Sequence, residues 1–325
     1  EPYYVLIEIL GRGFERADKL LCKVRPDLIE SEQRCEAMIM DVLHNNENEG
    51  SSRLKGSELW QFCQDYDNRL LPMVKNVCEN SKNIYYNNET KDVAIMNTYL
   101  GEVRVANFIK DKINNSEKLD LNWEKYRVTD DGFSLSDSQL NVLKVFCESG
   151  LSIVKGFSGT GKSFSTKQLI KMLDDYNITY TLLAPTGKSA RVLAEQTNRQ
   201  AFTIHKKCFE GEINTDVIIV DESGMVGLDV MNMLISACTN DKSRFVFVGD
   251  PAQIPSISLG KIYEDMIKSE IVPSSNLTEV FRYKSNGSLF VATNVRQGKS
   301  FFKDTEMVKN NGKAYTVCDN YKFIE

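Results

Sequence analysis

The chain has 325 residues, of which 42% are hydrophobic and 26% charged. That is ordinary globular usage, long enough for about two domains, and it excludes a disordered or collagen-like polymer. With 40 Lys and Arg against 45 Asp and Glu the formal charge is −5, which excludes a wholly basic nucleic-acid binder but leaves room for a local basic groove.

In chain order, residues 3–120 read as mainly helical. Ile7, Leu10, Phe14, Ala17 and Leu20–Leu21 recur at helical spacing, as do Cys35, Met38, Ile39, Val42 and Leu43. Residues 45–52 form a polar loop, a short helix starts at Ser57-Glu58-Leu59-Trp60, and a longer one is expected over Asn97–Ile113. Between these helices, 84–89 and 93–95 suit a small β-hairpin. The polar run 114–118 leads into a linker that ends near Asp130-Asp131-Gly132, the expected domain boundary. Beyond it, apolar runs at 151–154, 180–184, 217–220 and 244–248 alternate with helical segments. Strands apolar on both faces imply a parallel sheet covered on both sides. The expected fold is therefore α/β, preceded by a small, mainly helical domain.

No apolar stretch is long enough to span a bilayer, and residues 1–25 do not read as a signal peptide; a soluble, cytoplasmic protein without membrane partners is expected. The eight cysteines contain no C-x-x-C pair and only His44 and His205 could supply imidazole, so a structural zinc site is not expected and the thiols read as reduced. The chain starts at Glu1-Pro2 and closes on Tyr321-Lys322-Phe323-Ile324-Glu325, an alternating run that reads as a strand without a partner; a piece of a longer protein is expected.

Three motifs carry chemistry. Gly156-Phe157-Ser158-Gly159-Thr160-Gly161-Lys162-Ser163 fits G-x-x-x-x-G-K-[ST] between an expected strand and an expected helix. Such a loop turns backbone N–H groups toward phosphate, and the helix start adds its partial positive charge. Lys162 is then expected at the β- and γ-phosphates of ATP and Ser163 on Mg²⁺. The apolar run 217–220 ends in Asp221-Glu222, acids expected to face the phosphates: Asp221 holds the metal through water and Glu222 orients the attacking water. After 245–248 comes Gly249-Asp250-Pro251-Ala252-Gln253, where Gln253 is expected to contact the γ-phosphate.

Together these segments resemble the superfamily 1 DNA helicases, specifically the RecD-like branch. Ala184-Pro185-Thr186-Gly187-Lys188-Ser189-Ala190 is similar to motif Ia and Thr203-Ile204-His205-Lys206 to the segment after it. Asp221-Glu222-Ser223 is similar to motif II, Gly249–Ser256 to motif III and Leu277-Thr278-Glu279-Val280-Phe281-Arg282 to motif IV. The resemblance implies a RecA-like P-loop domain and ATP-driven 5′→3′ translocation on single-stranded or tailed duplex DNA, with recombination or replication proteins as partners. It places Gln139 at the adenine, Arg282 at transition-state charge, and Pro185, Thr186, Lys188 and His205 on the DNA strand. Plainer alternatives are a helix-capping role for Gln139 and a core role for His205. Ile9-Leu10-Gly11-Arg12-Gly13-Phe14 resembles a helix-hairpin-helix, whose Gly11 and Gly13 turn would offer N–H groups to a DNA phosphate; a purely structural turn is the alternative.

The expected domains are 1–130, helical with linker; 131–284, RecA-like ATPase; and 285–325, the start of a second RecA-like domain. Motifs V and VI of the family are absent, and 206–216 is short where the family places a strand-separating protrusion, so little or no unwinding is expected of this chain alone. A P-loop nucleotide kinase and a non-catalytic DNA-binding piece are the competing readings. The first would need an acceptor pocket and an Arg-rich lid in place of motif Ia.

Overall fold

The computed structural model describes residues 2–157 and 159–279, Val295, Gly298, and the strands at 307–310, 313–318 and 321–324. Ser158 and Arg282 lie outside the described residues. The chain divides into two compact units, each taken by itself.

The first unit comprises residues 1–111, Met225–Ala237 and Pro255–Ile262. It begins with α1 (Pro2–Tyr4) and a π-helical turn Val5–Ile9, followed by α2 (Phe14–Val24) and α3 (Glu32–Asn48). Strand β1 (Leu54–Lys55), α4 (Gly56–Tyr66), α5 (Leu71–Asn80), β2 (Ile84–Tyr86), β3 (Asp92–Ile95) and α6 (Met96–Asn114) complete its N-terminal part. The hairpin expected from the sequence is β2–β3, and β1, in a stretch without strand character, adds to it antiparallel in the order β1-β3-β2.

Helical spacing on α2 and α3 buries Phe14, Leu21, Cys35, Met38, Ile39 and Leu43 in one core, and Ala17 is buried as well. Each large apolar side chain buried this way contributes about 1.5–3 kcal/mol. Inside that core lies a charged hub. Arg34 Nε and Nη2 donate to the two oxygens of Asp18 at 2.8 and 3.0 Å, and Arg34 Nη1 donates to Asp67 at 2.7 Å. The hydroxyls of Tyr3 and Tyr66 donate to Asp18 at 2.6 and 2.8 Å. Asp18 and Arg34 are each only 4% exposed, so the carboxylate is fully paired where water is excluded.

The second unit comprises Lys112–Gly224, Cys238–Ile254 and residues from Tyr263 onward. The domain boundary expected near 130 is therefore displaced to 111. The stretch read as a linker is docked: Tyr126 is buried, Leu119, Leu121 and Trp123 pack on the sheet domain's core, and Leu119 N–H donates to Cys147 O at 2.8 Å. A linker cannot be told from a docked segment by polarity when a few aromatic and aliphatic side chains anchor it.

The elements of this unit are α7 (Asp137–Glu148), β4 (Leu151–Gly156), α8 (Lys162–Asp175), β5 (Tyr180–Ala184), α9 (Gly187–Thr197) and β6 (Ala201–Thr203). They continue with α10 (Ile204–Glu210), β7 (Val217–Val220), β8 (Arg244–Gly249), α12 (Ile262–Lys268) and β9 (Ser274–Leu277). Between β7 and β8 runs α11 (Leu228–Ala237), which belongs to the first unit. Six strands pair in parallel in the order β6-β5-β7-β8-β4-β9. The central strands β7 and β8 are buried along their whole length, as expected of a sheet covered on both faces.

The C-terminal strands β10 (Met307–Asn310), β11 (Lys313–Cys318) and β12 (Tyr321–Ile324) pair antiparallel in sequence order. The terminal run read as an unpaired strand thus has its partner inside the chain, Tyr315 opposite Ile324. Among the described residues, no helix is long and apolar enough to cross a membrane.

Candidate nucleotide and nucleic-acid site

Parallel order brings the carboxyl ends of all these strands to one edge. β4 ends in the glycine-rich loop, β5 in Pro185–Lys188, β7 in Asp221-Glu222 and β8 in Asp250–Gln253. β6 leads into His205, and Asp221 N–H donates to Leu183 O at 2.9 Å, fixing the acidic pair beside the end of β5.

In the loop, Gly161 holds φ 89° and ψ 22° at the N-cap of α8, a left-handed conformation that a side chain resists. Gly156 meets a different constraint. Paired across from Leu277, it is so close that an added Cβ would lie 2.5 Å from Thr160 Oγ1 and 2.9 Å from Leu277 Cβ. Thr160 is buried and donates to Phe157 O at 2.8 Å, closing the loop on itself. Lys162 Nζ donates to Gly156 O at 2.6 Å and Phe157 O at 3.2 Å. Ser163 is partly buried in the first turn of α8.

Glu222 is a non-glycine residue at φ 51°, a strained backbone of the kind that gathers at functional sites. Its Oε2 is buried and has no hydrogen-bond partner among the described residues. Burial, and then the charge of Glu222, push the Asp221 carboxyl up to about 6, with Lys162 pulling the other way. An orphaned carboxylate oxygen beside a second, crowded carboxylate is a pair that a divalent cation and its water would relieve. The donors here are oxygens, the hard set that suits Mg²⁺. Among the described residues no three His, Cys, Asp or Glu cluster as a self-sufficient metal cage.

Gln253 is exposed, its N–H donating to Asp250 O at 3.2 Å. Asp250 is buried and accepts from Ala252 N–H at 2.9 Å, so it shapes the turn that presents Gln253. Sequence reasoning passed over Asp250 and Tyr263. The Tyr263 hydroxyl donates to Val154 O at 3.1 Å, and burial followed by the charges of Asp250, Asp221 and Glu222 raises its pKa. The aromatic residue at the start of α12 offered no motif by which to find it.

Gln139 does what the plainer alternative held. Its Oε1 accepts from Ser136 N–H at 3.0 Å and its own N–H donates to Ser136 Oγ at 3.4 Å, a capping box that starts α7. Thr186 likewise caps α9, accepting from Ser189 N–H at 3.1 Å, and partly buried Pro185 precedes it. Lys188 and His205 are exposed, which removes the core-histidine alternative. In the first unit, Gly11 lies in a turn with φ 62° and Gly13 is the N-cap of α2. The N–H of Arg12 between them already donates to Leu6 O at 3.0 Å.

Residues 134–317 match the AAA domain family, more than half of the chain. The ATP-dependent RecD2 DNA helicase of Deinococcus radiodurans is 31% identical over 168 residues, 49% of this chain and 23% of that protein. RecBCD enzyme subunit RecD of Haemophilus influenzae is 26% identical over 233 residues, 58% of this chain and 36% of that protein. A crystal structure of Pif1 helicase from Candida albicans aligns with a TM-score of 0.37 at 23% identity, covering 50% of this chain and 44% of that one. The chain spans 23% and 36% of the length of these two curated relatives.

Proposed function

The chain belongs to the AAA domain family, and on that premise we propose that it is the ATPase core of a RecD-like superfamily 1 DNA helicase motor. It couples ATP hydrolysis to 5′→3′ movement along single-stranded or tailed duplex DNA, in cytoplasmic recombination, repair or replication. The observation that carries this reading is the convergence of the glycine-rich loop, Asp221-Glu222, Gln253 and Thr186–Lys188 on one edge of one parallel sheet. In open α/β sheets ligands bind at that edge.

The roles follow from the chemistry of each group. Backbone N–H groups from Gly156 to Gly161, Ser158 and Thr160 included, surround the phosphates, and Lys162 exchanges its loop carbonyls for phosphate oxygens. Ser163 and Asp221 would hold Mg²⁺, which would supply neutralising charge to the phosphates. Glu222 Oε2, buried and without a hydrogen-bond partner among the described residues, accepts from the attacking water and orients it. Gln253 reports the γ-phosphate, and Arg282 stabilises the charge that develops on it. Gln139 keeps its cap through Oε1 and turns its amide toward adenine. Pro185, Thr186, Lys188 and His205 line the strand, and the Gly11–Gly13 turn adds a phosphate contact. ATP hydrolysis by the complete protein, measured with and without single-stranded DNA, tests the reading. Hydrolysis that does not respond to DNA would favour a nucleotide kinase instead.

A further inference from the structure

The first unit contains a cleft of about 330 Å³ that no step of nucleotide hydrolysis or strand movement uses. Its floor is one face of α3. Gln33, Glu36, Ala37, Met40, Asp41 and His44 recur at helical spacing along it, so three turns of one helix present one stripe. The first helical segment and Phe14 wall one side, and Asn83, Ile95 and Asn97 the other.

The chemistry of this lining is one-sided. It offers acceptors: the carboxylates of Glu36 and Asp41 and the carbonyl of Gln33, whose Oε1 is buried without a hydrogen-bond partner among the described residues. Among the described residues, no lysine or arginine lines it. Lysines and arginines of this unit pair with other acids among the described residues: Lys19 takes Glu15, Arg34 takes Asp18 and Asp67, and Arg53 takes Glu102. Glu36 is held by neutral donors, Ser81 Oγ at 2.6 Å and Asn83 Nδ2 at 2.9 Å, and Asp41 by Asn45 Nδ2 at 3.3 Å. Burial also raises the Asp41 carboxyl above its ordinary range, with His44 lowering it. Phe14, Met40, Ile7 and Ile95 supply apolar surface beside these acceptors. A phosphate or nucleic-acid strand would meet two carboxylates here and be repelled. The occupant that fits is positive, donates hydrogen bonds and carries an apolar body.

We propose that this cleft binds a side-chain-sized cation on an apolar stem, a guanidinium, amidinium or ammonium group. Glu36 and Asp41 neutralise its charge and Gln33 Oε1 accepts one of its donors. The same chemistry comes from two sources, a free organic amine or an arginine or lysine of a partner polypeptide. This site stands apart from the nucleotide reading, because no residue of that reading lines it.

Calorimetric titration of the full chain with benzamidine at pH 8 tests the proposal against benzamide as an uncharged isostere. Expected are saturable binding of benzamidine at one site and binding of benzamide weaker by about tenfold or more, the worth of a charge-assisted hydrogen bond. Asp41→Asn should weaken benzamidine by about the same factor with an unchanged thermal midpoint, and Met40→Trp should close the cleft and abolish binding. A short peptide containing Phe-Arg, compared with its Phe-Gln counterpart, separates the sources: tighter binding than benzamidine points to a partner polypeptide, exclusion to a free amine. No saturable benzamidine binding, equal binding of benzamide, or undiminished binding by folded Asp41→Asn would overturn the proposal.

Discussion

Replacing Gly156 by alanine tests how tightly the phosphate loop is built against its neighbouring strand. The added methyl would lie 2.5 Å from Thr160 Oγ1, 2.9 Å from Leu277 Cβ and 3.2 Å from Leu277 O. None of these is a free end: Thr160 and Leu277 are each 1% exposed, and Leu277 is a backbone-paired residue of β9. Relief requires Thr160 to give up its 2.8 Å hydrogen bond to Phe157 O, or β4 and β9 to part. Losing that bond costs about 0.5–1.5 kcal/mol and overpacking a further 1–3 kcal/mol, so Gly156→Ala should destabilise the chain by about 2–4 kcal/mol. Because the displaced atoms belong to the phosphate loop, ATP affinity should fall as well. Urea unfolding reads the first effect, and titration with a fluorescent ATP analogue reads the second. Combining Gly156→Ala with Thr160→Ala removes the nearest clash, so the double variant should be less destabilised than the two single changes together, by about 1 kcal/mol. Wild-type stability and ATP affinity in Gly156→Ala would refute the close approach of loop and strand.

Other substitutions separate the roles proposed for the site. Lys162→Ala should abolish ATP turnover while the unfolding midpoint stays near wild type. Glu222→Gln should still bind ATP but hydrolyse it about 10²-fold or more slowly, because water activation alone is lost; fluorescence titration beside phosphate release distinguishes the two. Lys188→Ala with His205→Ala should weaken single-stranded DNA binding and reduce its salt slope by about one, at unchanged DNA-free ATP affinity. In the first unit, Arg34→Met strands the buried Asp18 carboxylate and should cost about 3–5 kcal/mol, read by chemical denaturation. The hub also sets an acid limit. Burial alone would raise Asp18, but hydrogen bonds from Arg34, Tyr3 and Tyr66 hold it below the ordinary range, and Arg69, then Arg34, do so more strongly for Asp67. Between their folded and ordinary values the unfolded chain binds more protons. The stability they contribute is therefore whole above about pH 5 and is lost as pH falls through 4 and below. Thermal unfolding from pH 7 to 3 should show this loss, blunted in Asp67→Asn.

The sequence carried the sheet where local chemistry was enough. β4, β7 and β8 are apolar on both faces, and the glycine-rich loop and the acidic pair follow two of them directly. β6, Ala-Phe-Thr, and β9, Ser-Ser-Asn-Leu, have no such run; they are strands because β5 and β4 offer them backbone partners. The hub escaped notice for a similar reason. Asp18 stands 16 residues from Arg34, and Arg34 stands 33 from Asp67, distances over which no periodicity speaks. A trace of it was legible nonetheless. Asp18 lies four residues after Phe14 and three before Leu21, on the face of α2 that the apolar residues mark as buried, and a carboxylate there demands a partner. Gln139 illustrates the converse: Ser136-x-x-Gln139 spells a capping box as clearly as it matches a nucleotide-reading position, and the structure shows the cap.

The first unit is discontinuous in sequence. Its N-terminal stretch of 111 residues is joined by Met225–Ala237 and Pro255–Ile262, tied in by Arg104 Nη1 donating to Ser236 Oγ at 3.2 Å and by Leu228 N–H donating to Leu259 O at 2.7 Å. A ribosome therefore releases most of this unit long before it makes the other pieces: Met225–Ala237 follows the strand carrying the acidic pair, and Pro255–Ile262 follows the one carrying Gln253 as well. Completion depends on contacts more than a hundred residues apart, the slowest kind to form, and until then the nascent chain has an unfinished surface for chaperones to cover.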